Sequence, residues 1–165
     1  MNPKYWIVLG ALVGCLGVGA GAFGAHAMKD GRMEEAFYGG TDDKSQFVAL
    51  KEYKRRMEIF ETSVRYQMYH ALAIVLAGVI GVALREDSIA PNVAGYCFTV
   101  GILFFCGPLY GLVFLMDFNW LGAIAPIGGV CFMMGWLALA VAGFSFASDE
   151  TSRVTETPPG TTVAA

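Results

Sequence analysis

The chain has 165 residues, a length for one domain, and 56% of them are hydrophobic against 15% charged. With a mean hydropathy of +0.54, this balance excludes an ordinary water-soluble domain and fits a small polytopic membrane protein. The net charge of −3 argues against a nucleic-acid partner, because phosphate binding needs a basic face.

Four apolar blocks run over Tyr5–Met28, Tyr66–Leu84, Val93–Met116 and Leu121–Ala147. Each is about 19 residues or longer, which at ~1.5 Å per residue crosses a ~30 Å hydrocarbon layer. The spacing predicts an all-α fold: a four-span transmembrane domain over 1–147, with loop 1 at 29–65 and a tail at 148–165.

Block 1 begins after Lys4 and contains Ala25-His26-Ala27, a small-x-small pattern of the kind that ends a signal peptide. Its apolar stretch is longer than a signal core and carries glycines throughout, so it is read as a retained span. Gly10, Gly14, Gly17, Gly21 and Gly24 recur at spacings of 4, 3, 4 and 3, which puts all five on one helical face. In lipid such a face admits a close neighbour. The neighbour is either another helix of the same bundle or a second copy. Gly19-x-Gly21-x-x-Gly24 formally matches a dinucleotide-binding fingerprint, but it lies inside a span with no strand before it and no βαβ unit around it.

Loop 1 is irregular in its first half, with Asp30-Gly31, Gly39-Gly40 and Asp42-Asp43. In its second half Phe47, Leu50, Tyr53, Met57, Phe60 and Val64 recur every three or four residues, predicting an amphipathic helix before span 2. No proline separates the two, so this helix either lies in the interface or extends span 2 into water. Lys51–Arg56 is basic but interspersed with Glu52, as a solvated face is. Glu61 and Arg65 form a favourable i, i+4 pair.

Loop 2 (Arg85–Asn92) and loop 3 (Asp117–Trp120) are short, so spans 3 and 4 form a hairpin, and Pro108 and Pro126 interrupt them. The tail is rich in Thr and Pro without apolar period and is expected to be disordered. Loop 1 holds eight of the eleven Lys and Arg residues, which by the positive-inside rule places it in the cytoplasm.

Cys15, Cys97, Cys106 and Cys131 all lie in apolar blocks without CxxC spacing and read as packing residues. His26 ends span 1, His70 begins span 2, and loop 3 returns Asp117 to the same side. The expected polar membrane face is therefore His26, His70, Tyr66, Tyr69 and Asp117, with Gln67 beside them. Ionisable groups at membrane depth raise a functional hypothesis, and histidine can relay a proton or bind a metal. Interfacial Tyr and His can equally anchor a helix end. Two histidines and one carboxylate make a weak metal signature. No Ser-His-Asp order, carboxylate pair or phosphate loop is visible, so no catalytic residue, metal or cofactor is assigned.

Gly21-Ala22-Phe23-Gly24-Ala25-His26, Phe60-Glu61-Thr62, Tyr66-Gln67-Met68-Tyr69-His70-Ala71-Leu72-Ala73, the Gly101–Tyr110 stretch, Ala125-Pro126-Ile127-Gly128-Gly129 and Gly135-Trp136-Leu137 resemble the YgdD-type family of small membrane proteins of unknown function. The resemblance covers all but the first half of loop 1 and the tail. It implies a four-helix integral protein of the bacterial inner membrane and no established activity. Two departures stand out. Loop 1 is longer than the family's link between the histidine motifs. The family also places basic residues in loop 2 and after span 4, implying cytoplasmic termini, whereas here those regions hold only Arg85 and Arg153. Orientation stays open between the two readings.

The reading that results is a non-enzymatic packing or accessory component of the membrane. Its partners are the lipid bilayer and either further copies of itself or a partner membrane protein. The alternative is a small oligomeric transporter or channel using the His26/His70 face, and a third reading is a membrane-bound enzyme or metal site on the two histidines.

Overall fold

Helix α1 (Pro3–Phe23) starts where its sequence allows. The side chain of Asn2 accepts from the Lys4 N–H at 3.0 Å, and Pro3 takes the first helical position, where a missing N–H costs nothing. The helix ends in a π turn over Gly24–Met28. The computed structural model describes residues 2–28, 43–84, 89–115 and 118–156, and these are all-helical, without a strand.

Helix α2 (Asp43–Ala83) is 41 residues long, roughly 60 Å at ~1.5 Å per residue. The amphipathic half of loop 1 and the second apolar block are therefore one unbroken helix, of which only part fits within a bilayer. Helix α3 (Ala90–Gly101) passes through a π segment, Ile102–Cys106, into α4 (Gly107–Phe114). In that segment Gly107 N–H donates to the Ile102 carbonyl, five residues back. The register slip comes immediately before Pro108, which has no N–H of its own to give. The span is thus re-registered around its proline and continues.

A 3-10 turn at Asn119–Ala123 leads into α5 (Ala125–Glu156). Two expectations change here. Pro126 lies in the first turn of α5, where it interrupts nothing. The backbone also stays helical to Glu156, past the boundary at 148 expected of a disordered tail. No Gly or Pro occurs between Phe144 and Glu156 to interrupt it.

The four spans expected from the sequence are present as Pro3–Met28, Lys44–Ala83, Ala90–Phe114 and Trp120–Phe144. Helix α1 runs antiparallel to α2 with its glycine stripe at the contact. A Cβ on Gly10 would come within 2.7 Å of the Ala71 carbonyl, one on Gly17 within 2.6 Å of Met68 Sδ, and one on Gly24 within 2.5 Å of the Phe60 ring. Gly14 and Gly21 face Ala71 and Val64 with more room, at 3.8 and 3.5 Å. All five stripe glycines therefore meet α2 within the bundle. Gly78 returns the contact from α2, where a Cβ would meet Ile7.

Helix α5 buries Ala125, Gly128, Phe132, Gly135, Leu139 and Ala142, an alternating three-four seam that faces α3 and the π segment. There large meets small: Phe98 fills the space over Gly135, and Phe132 that over Gly101. Trp6, Ile74, Phe98, Cys106 and Phe132 form the central core. Leu12, Leu16, Leu72, Leu103, Leu137 and Phe144 point outward, as side chains do when lipid tails are the solvent.

Candidate functional site

The α1–α2 contacts fix depth. Gly10 meets Val75, Gly14 meets Ala71, Gly21 meets Val64 and Gly24 meets Phe60, so paired residue numbers add to about 85. On this register His70 lies level with Cys15, at the middle of α1, and His26 lies level with Ile59. Eleven helical residues, roughly 16 Å of depth, separate the two histidines. The expected common face for His26 and His70 is not formed. His26 is exposed on the π turn at the end of α1, while His70 is buried at 5% exposure.

His70 is enclosed by aromatic rings. Its imidazole stacks on Phe132 with centroids 3.4 Å apart and planes 7° from parallel. Phe98 lies at 5.6 Å, Tyr66 at 5.9 Å and Trp136 at 6.2 Å. The ring Nδ1 lies 2.8 Å from the Tyr66 carbonyl. A carbonyl only accepts, so Nδ1 carries the hydrogen. Tyr66 stacks on Phe105 at 4.7 Å and Tyr69 faces outward. Asp117 lies outside the described residues.

Ser63, Gln67 and His70 are the buried polar side chains of the core, and their spacing of four and three puts them on one face of α2. Ser63 Oγ donates to the Cys106 carbonyl at 3.0 Å, in the π segment. Gln67 Nε2 donates to the Val13 carbonyl of α1 at 2.9 Å, and its Oε1 accepts from the Tyr110 hydroxyl of α4 at 2.8 Å. Gln67 thus ties α1, α2 and α4 together at mid-depth. On the far side Trp6 Nε1 donates to Asn92 Oδ1 at 2.8 Å, joining α1 to α3. Among the described residues no buried side-chain nitrogen or oxygen lacks a partner.

At the loop 1 side, α2 caps two neighbours. Tyr53 donates its hydroxyl to the Met28 carbonyl that ends α1. Arg56 donates to the Val113 carbonyl in the last turn of α4 at 3.0 Å, while Glu52 holds its Nε at 2.9 Å. Both donors satisfy carbonyls that a helix end leaves open, and the cation also suits the negative end of the α4 dipole. A Tyr and an Arg at i and i+3, about three turns before the second apolar block, are the sequence trace of this device.

Among the described residues no three His, Cys, Asp or Glu side chains cluster as metal ligands would. The four cysteines are free thiols, Cys106 buried and Cys15 exposed. The polar side chains at the centre hold helices together, and His70 lies among the rings of Phe98, Phe132 and Trp136.

A family model described as a protein of unknown function (DUF423) matches residues 20–129. Relatives named UPF0382 membrane proteins are 40% identical in Staphylococcus aureus over 144 residues, 38% in Staphylococcus haemolyticus over 143 and 41% in Staphylococcus epidermidis over 144. Each alignment covers 87% of this chain and 98% of the relative. No solved structure matches the chain.

Proposed function

The chain belongs to the DUF423 family, whose relatives here are named membrane proteins, and from that premise we propose that it is a non-enzymatic component of the bacterial inner membrane that acts by packing, against further copies of itself or against a partner membrane protein. The observation that carries this reading is the use of Gln67. A side chain able to serve a ligand at mid-membrane instead spends donor and acceptor on Val13 and Tyr110. His70 is likewise stacked closed on Phe132. With Gln67 and His70 engaged inside the bundle, recognition of a neighbour falls to the outward surface. That surface carries Phe104, Met133, Met134 and Leu137, large groups able to make extended contact with a neighbouring helix.

The test is crosslinking in native membranes followed by native mass spectrometry of gently released full-length protein. The expected result is a defined oligomer or a co-released polypeptide, unchanged in the His26→Ala/His70→Ala double variant. Isolated monomers in both assays would sink the reading. Ion or proton flux in proteoliposomes, lost in His70→Ala, would replace it with an oligomeric transporter.

A further inference from the structure

Helix α5 carries two seams. The inner one is filled by α3 and the π segment: a Cβ on Gly128 would lie 2.4 Å from the Phe105 backbone nitrogen, and one on Gly135 2.5 Å from the Phe98 ring. One position along the chain, Gly129, Met133, Trp136, Ala140 and Gly143 repeat the pattern at spacings of 4, 3, 4 and 3. With 3.6 residues per turn, this second seam is turned about 100° from the first. Met133, Trp136, Ala140 and Gly143 are exposed, and a Cβ on Gly129 or Gly143 would meet nothing within 4 Å. The outer seam thus has the spacing of a helix–helix contact and, at each end, a notch that lets a neighbouring backbone come close.

Notches alone would suit an acyl chain as well as a helix. Two polar atoms beside the seam decide between them. His70 is 5% exposed and spends Nδ1 on the Tyr66 carbonyl, which leaves Nε2, on the opposite edge of the ring, as an acceptor. Nε2 makes no hydrogen bond among the described residues. No buried side-chain nitrogen there lacks a partner, so Nε2 reaches the surface of the bundle. Trp136, whose ring stands edge-on to His70 at 6.2 Å, likewise makes no hydrogen bond among the described residues. It lies four residues, roughly 6 Å, along α5 from the Phe132 that stacks on His70, inside a ~30 Å hydrocarbon layer. An unpaired donor and an unpaired acceptor are both costly at that depth. Acyl chains offer a partner to neither, whereas the two groups complement each other. Two copies related by a two-fold axis along the membrane normal keep like residues level and use both groups twice.

We infer that the outer seam of α5 is the contact between two copies of this chain, parallel and left-handed as a seven-residue repeat requires, with Trp136 of each copy donating its indole N–H to His70 Nε2 of the other. The inference rests on the packing reading above and names its partner.

The experiment is energy transfer between end-labelled full-length copies in phosphatidylethanolamine–phosphatidylglycerol liposomes over a range of dilution, which yields a dimer Kd, with a thermal melt of each variant. The wild type is expected to form dimers. Gly129→Leu and Gly143→Leu fill open space in the single copy, so each should melt like the wild type while the dimer Kd rises more than about tenfold. Gly19→Leu, equally open but on α1, should keep the wild-type Kd. Trp136→Phe and His70→Phe should still dimerise, each weakened by about three- to tenfold. Combined they should weaken the dimer no further than either alone, because both remove the same bond. A dimer whose Kd is unmoved by both seam glycine variants, or is moved as much by Gly19→Leu, would overturn the inference and leave the packing reading standing. So would a wild type that stays single but co-purifies with a different polypeptide. A wild type that stays single and alone would end both.

Discussion

The imidazole of His70 lies flat on the ring of Phe132, with centroids 3.4 Å apart, and this contact joins α2 to α5 at the centre of the bilayer. A histidine so placed is a core aromatic that also anchors its own helix, through Nδ1 and the Tyr66 carbonyl. Removing the ring leaves a cavity among Phe98, Phe132 and Trp136. His70→Ala is expected to lower stability by roughly 2–4 kcal/mol, in the range for truncating a large buried side chain. His70→Phe, which keeps the stack, should cost clearly less. Denaturant unfolding in detergent checks both, and equal losses in the two variants would contradict the stacking account.

His26 gives the complementary test. It is exposed and roughly 16 Å from His70 in depth. His26→Ala should change stability by less than about 0.5 kcal/mol. Combined with His70→Ala it should add within about 0.5 kcal/mol. A larger coupling energy in the double-mutant cycle would mean the two histidines share a site after all.

The glycine stripe is graded, which makes it testable position by position. A Cβ at Gly10 would press on the Ala71 carbonyl, a backbone atom that cannot turn aside, whereas one at Gly14 or Gly21 finds ordinary contact. Gly10→Ala is expected to destabilise by about 1–3 kcal/mol through overpacking. Gly14→Ala and Gly21→Ala should be neutral or slightly stabilising, since alanine also improves helix propensity. If all three behaved alike in thermal melts, the stripe would not be seated on α2 as described.

Gln67 links three helices, so its loss should be felt through Tyr110. Gln67→Leu and Tyr110→Phe should each cost about 0.5–2 kcal/mol, the range for interhelical hydrogen bonds in membranes. Combined, they should cost less than the sum, because both remove the same 2.8 Å bond. Strict additivity would show that the bond contributes nothing.

The four spans and the glycine face were legible because each depends on a local sum or spacing: hydropathy over a window, and intervals of three and four from Gly10 to Gly24. The amphipathic stretch before Tyr66 was legible for the same reason. What the spacing could not show was where the bilayer cuts α2. Counting apolar residues starts the span at Tyr66, because Glu58, Glu61 and Arg65 interrupt the run. The contact between Gly21 and Val64 sinks those residues beside the first span instead and moves His70 from the boundary to the middle. The depth of a charged residue on a membrane helix is decided by the neighbour it packs against, and that neighbour lies 43 positions away in the chain for this pair. The Ser63–Gln67–His70 ladder had a trace in its four-three spacing on the Phe60 face, but two of its partners are backbone carbonyls, at Cys106 and Val13, that carry no residue signature.

The unbroken course of α2 has a mechanical consequence. From Phe47, exposed on the outer segment, to His70 is 23 residues of continuous helix, about 35 Å. Sequence breaks that would let a helix flex, a proline or a paired glycine, are missing from this stretch. The helix is held part-way along by Tyr53 and Arg56, which grip the ends of α1 and α4. The outer segment and the residues that make the Gln67 and His70 contacts are therefore parts of one continuous helix, gripped between them by its two neighbours.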